Sequence, residues 1–78
     1  MKTIYEATKT TVKEVLKGMI IKPAHIIIKS EKKIKRISLK KYREIKMKDL
    51  IGYYTYNPTF VKNMWYNKYT GILIIETL

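Results

Sequence analysis

Ten of the chain's seventeen lysines and arginines fall within Lys29–Lys48, against only Glu31 and Glu44, and seven of its nine aromatic residues follow between Tyr53 and Tyr69. Ammonium and guanidinium groups neutralise phosphates, and aromatic rings offer faces on which bases stack, so this succession points to a surface that holds a polyanion. The candidate phosphate contacts are Lys32, Lys33, Lys35, Arg36, Lys40, Lys41 and Arg43. Tyr54 and Tyr56, expected on one face of a strand with Tyr53 on the other, are the candidate aromatic contacts. A competing use for the lysines is protection of a sheet edge, where their stems cover apolar surface and their charges discourage pairing with another chain.

Catalytic chemistry has less to work with. His25 is the only histidine, and there is no cysteine, so neither a thiolate nucleophile nor a cysteine zinc site can form. Glu6, Glu14, Glu44 and Asp49 are scattered among lysines without the spacing of a metal cluster or an acid–base pair. Gly18, Gly52 and Gly71 stand alone, so no phosphate-cradling loop is present. The residues therefore imply a binding protein rather than an enzyme, with no cofactor and no metal.

Composition narrows the class further. A formal charge of +11 on 78 residues repels itself in the compact state, which an anionic partner relieves. Absence of cysteine removes the disulfides of small secreted domains, no signal peptide is expected at the N-terminus, and the apolar runs at 19–21, 26–28 and 72–75 are too short to span a bilayer, so a cytoplasmic setting without membrane contact is expected. The wealth of Lys, Ile, Tyr and Asn points to an AT-rich bacterial genome, or to a phage or other mobile element.

The elements that must position these side chains read as one basic domain over residues 1–78. Thr3 and Glu6 form a capping box for a helix over 3–17, with Gly18 as a left-handed C-terminal cap. The three threonines and valine of Thr8–Val12 are its weak point. Beyond Pro23, residues 24–29 and 34–39 read as the two strands of a hairpin around the polar loop 30–33. A short helix or turn is expected at 39–44 with a strand after it, and Gly52–Tyr56 reads as another strand ended by Asn57-Pro58. Residues 60–66 fit either a strand or an amphipathic helix; the strand is favoured, followed by a hairpin loop at 67–71 and a last strand at 72–78. The fold class is α+β: an N-terminal helix packed on a bent antiparallel sheet or small barrel of about five strands. Ile4, Val12, Val15, Leu16, Ile20, Ile21, Ile26, Ile28, Ile34, Ile37, Ile72, Ile74 and Ile75 are the candidate core.

The order of a helix, His25-Ile26-Ile27-Ile28-Lys29, a polar turn, Ile34–Leu39 and a basic continuation resembles that of HicA-type messenger-RNA-cleaving toxins. That resemblance implies a double-stranded-RNA-binding-like fold, with His25 as general acid or base and lysines neutralising the developing charge. Pro23-Ala24 stands where the family has glycine-serine, and residues 53–78 have no counterpart in it. Three functions follow in order: an accessory protein contacting the phosphate backbone of DNA or RNA, an inhibitor occupying an acidic or nucleic-acid-binding surface of a host protein, and an RNA-cleaving toxin.

Overall fold

The β-branched run His25–Lys29 forms the strand β1, and its two faces differ: Ile26 and Ile28 are buried, whereas His25, Ile27 and Lys29 are half-buried. The computed structural model describes residues 10–78. A turn at 30–33, closed by the Ser30 N–H donating to the Lys33 carbonyl at 2.8 Å, returns the chain as β2, Ile34–Ser38. A helix, Arg43–Tyr56, separates this hairpin from a second one made of β3, Val61–Asn67, and β4, Ile72–Thr77. The four strands form one open sheet in the order β2-β1-β4-β3. β1 and β4 run parallel at its centre, and both hairpins are antiparallel. The molecule is thus α+β with a mixed sheet of four strands, not the antiparallel sheet or barrel of about five that the sequence suggests. Two of the expected strands are helix instead.

The first helix, α1, is short, Val12–Lys17, and starts from a capping box: Glu14 N–H donates to Thr11 Oγ1 at 3.3 Å and Thr11 N–H to Glu14 Oε1 at 3.4 Å. The same T-x-x-E pattern at Thr3–Glu6 lies outside the described residues. A helix running unbroken from 3 to 17 is ruled out at Thr10 and Thr11: neither is helical, and Thr11 is extended and bridges Phe60, just before β3. Val12 N–H donates to the Thr59 carbonyl and Val61 N–H to that of Thr10. The β-branched threonines take the strand-like backbone they prefer. Gly18 ends α1 as expected, but at φ −93° rather than in the left-handed region.

The second helix, α2, spans Arg43–Tyr56 and corrects both expectations for this stretch, a strand after residue 44 and a strand at 52–56. Its packing explains the outcome. Leu50 and Tyr54, four residues apart, are buried, and Met47 and Ile51 pack beside them, a period of 3.6 that the alternating charges of Glu44–Lys48 conceal. Asn57 closes the helix: its backbone and side-chain N–H groups both donate to the Tyr53 carbonyl.

Both helices contribute to a core on one face of the sheet. Val12, Leu16, Leu50 and Tyr54 join Ile26, Ile28, Leu73, Ile75, Val61 and Leu39 there. Of the anticipated core, Ile20, Ile34 and Ile21 are instead 93%, 74% and 40% exposed, and Ile4 lies outside the described residues. Ile20 sits in the connection between α1 and β1, and Ile34 begins an edge strand on the opposite face of the sheet.

Candidate functional site

Because β2 is an edge strand and α2 follows it, much of the basic stretch Lys29–Lys48 lies along one edge of the sheet, divided between its two faces. Lys32 and Lys33 lie exposed in the turn at one end of β2, and Lys40 and Lys41 at the other. The five residues of β2 between them span roughly 17 Å at about 3.3 Å per residue. Along that length the charge divides by strand alternation. Lys35, opposite Ile28, faces the helices, while Arg36, opposite Ile27, projects from the other face.

Lys35 crosses towards α2, where its Nζ stands 4.0 Å from the centroid of the Tyr53 ring and 5.9 Å from that of Tyr54. The two rings meet edge to face at 4.9 Å. Lys35 and Tyr53 thereby join two stretches of a groove between β2 and α2, one continuing past Ile37, Lys46 and Asp49, the other past Lys33, Asn57 and Thr77. An ammonium over an aromatic face is attracted to it and so held in place.

Other cations here hold the fold. Lys46 Nζ donates to the Ser38 carbonyl at 2.9 Å and pins the first turns of α2 to the end of β2, and the Arg43 guanidinium donates to the Lys22 carbonyl at 3.4 Å. Between them, Tyr42 precedes α2 at φ 59°, the one positive φ among the described non-glycine residues, with Lys41 Nζ 5.0 Å from its ring centroid. A bulky residue in the left-handed region stores strain of the order of 1 kcal/mol or more.

Seven of the nine residues singled out in the sequence thus lie along the β2 edge and the start of α2. The tyrosines are placed differently. Tyr54 is buried in the core, and burial, then the neighbouring Tyr53, pushes its phenol above the ordinary value. Its ring has no open face for a base. Tyr56 is 87% exposed at the end of α2. Tyr53, Lys46 and Tyr42 complete the cluster and could be found only by reading residues 43–56 as a helix, since that period places Lys46, Asp49, Leu50 and Tyr53 on one side.

Among the described residues no helix lies on the other face of the sheet. Residues opposite one another in register share a face, which gives three rows across it: Ser38, His25, Ile72 and Asn67; Arg36, Ile27, Ile74 and Trp65; Ile34, Lys29, Glu76 and Asn63. All twelve are half-buried or exposed, and Trp65 is 44% exposed. His25 therefore lies between Ser38 and Ile72. Glu76, the one carboxylate of these rows, is opposite Lys29, four residues along β1, which is roughly 13 Å from His25 at the strand rise. Among the described residues no three potential ligands gather to hold a metal ion, and no helix is long and apolar enough to cross a membrane. Comparison of the chain with protein-family models, with curated proteins and with solved structures finds no match.

Proposed function

We propose that this protein is a non-enzymatic nucleic-acid-binding accessory protein that contacts the phosphate backbone with little sequence discrimination. The supporting observation is the cationic edge: Lys32 and Lys33 at one end of β2, Lys40 and Lys41 at the other, and Lys35 held over Tyr53 between them. Lysines at both ends of a strand roughly 17 Å long can reach several phosphates of one nucleic-acid backbone. Lysine predominates over arginine, which suits point-charge attraction rather than the bidentate reading of base edges.

The test is affinity for unrelated DNA and RNA oligonucleotides as a function of salt. Binding is expected to weaken as salt rises, with a log–log slope of about −0.9 per phosphate neutralised. Replacing Lys32, Lys33, Lys40 and Lys41 together by alanine is expected to flatten that slope by about 3 to 4 and to weaken all sequences alike. Retention of affinity and slope by the fourfold variant would remove the edge as the binding surface. Affinity purification with and without nuclease separates a nucleic-acid partner from an inhibited protein, whose capture survives digestion.

A further inference from the structure

We infer that the face of the sheet on which no described helix packs is a platform for single-stranded nucleic acid, with Trp65 as its stacking residue; this rests on the nucleic-acid reading above and specifies its substrate class. An indole exposed at the edge of an open sheet presents a π-face that any base can cover, and a four-stranded sheet holds two or three unstacked bases. Inside a duplex the bases are already stacked on one another and leave such a ring no free face.

Charge placement agrees with a strand crossing this face. In the three rows the cations Lys29 and Arg36 outnumber the single carboxylate, Glu76, which lies on a central strand. More cations stand at opposite corners: Lys32 and Lys33 in the turn before β2, and Lys68 in the turn after β3. Phosphates are thus favoured at the rim and disfavoured over Glu76, so a strand running from one corner to the other directs its bases onto the sheet. There Ile27 and Ile74 offer apolar support between Arg36 and Trp65. Asn67 is held by its Oδ1, which accepts from Tyr69 and Thr70 N–H, and its Nδ2 is a donor of the kind that reads a base edge. These features together favour a polyanion that carries a ring on every residue, as an unpaired nucleic-acid strand does, over an acidic protein.

Trp65 is the chain's only tryptophan, so its emission reports on this face directly. The full chain is titrated with single-stranded oligonucleotides and with blunt duplexes of the same sequences, following both anisotropy of a labelled strand and tryptophan fluorescence. Single strands are expected to bind more tightly and to quench Trp65, and duplexes to bind through the cationic edge without quenching. Trp65→Ala is expected to lower single-strand affinity about tenfold and leave duplex affinity unchanged, with Trp65→Phe intermediate; the Phe variant and the unmodified chain's quenching stand if the Ala variant fails to fold. Equal binding of duplex and single strand with Trp65 emission unmoved overturns the platform and leaves the backbone-binding reading intact. Absence of binding to any oligonucleotide at low salt overturns both, and a nuclease-resistant protein partner that shields Trp65 overturns the platform in favour of a protein interface.

Discussion

At the scale of single residues, several positions carry a definite energetic signature. Gly52 lies inside α2, where glycine is less favourable than alanine by about 1 kcal/mol, and a methyl group built there meets nothing within 4 Å. Gly52→Ala is therefore expected to raise stability by about 0.5 to 1 kcal/mol in denaturant titrations. Gly71 is the opposite case. Its φ of 72° is left-handed and a Cβ would stand 3.2 Å from that of Ala24, so Gly71→Ala is expected to lower stability by about 1 to 2 kcal/mol. Tyr54 links the core to pH. Its phenol is held above the ordinary value in the folded state, so the unfolded chain loses this proton first as pH rises. The stabilisation is fully present below the unfolded-state value near 10 and is lost above it, until the folded-state value is also passed. Melting temperatures are expected to fall with alkalinity in that range, and Tyr54→Phe to remove part of the fall.

At the scale of elements, the two hairpins were legible and the helices less so. Alternating or β-branched residues in β1 and β2, the polar turn between them and the Asn67–Gly71 loop are local signals that tertiary packing reinforces. α2 was obscured because Glu44–Lys48 alternates as a strand does and Gly52–Tyr56 holds weak helix formers, whereas burial of Leu50 and Tyr54 decides the outcome. The candidate site inherited the same error. Counting charges found the cationic stretch, but Tyr53 and Lys46 join it only through the helical period, and Tyr54, a stacking candidate in a strand, becomes a core residue. Edge geometry also gives β2 a second duty. With Lys33, Lys35 and Arg36 along it, this free edge resists pairing with another chain, so neutralising all three is expected to promote aggregation, measurable by light scattering.

At the scale of the whole molecule, the sequence carries seventeen cations against six anions, and the described residues form one small globule with a radius of gyration of 11.8 Å. Screening weakens their mutual repulsion, so the melting temperature is expected to rise as salt is added to a dilute buffer, while nucleic-acid affinity falls over the same range. Opposite responses of stability and binding to one variable separate repulsion within the fold from attraction to a partner. The parallel pairing of β1 with β4 sets the order of assembly. These two strands are neighbours in the middle of the sheet yet lie 47 positions apart, His25 beside Ile72, so closing the centre means first immobilising nearly everything between them. During synthesis, the growing polypeptide cannot complete its sheet until Thr77 has cleared the ribosomal tunnel. Until then Ile26 and Ile28 wait without Leu73 and Ile75, the partners that β4 brings them.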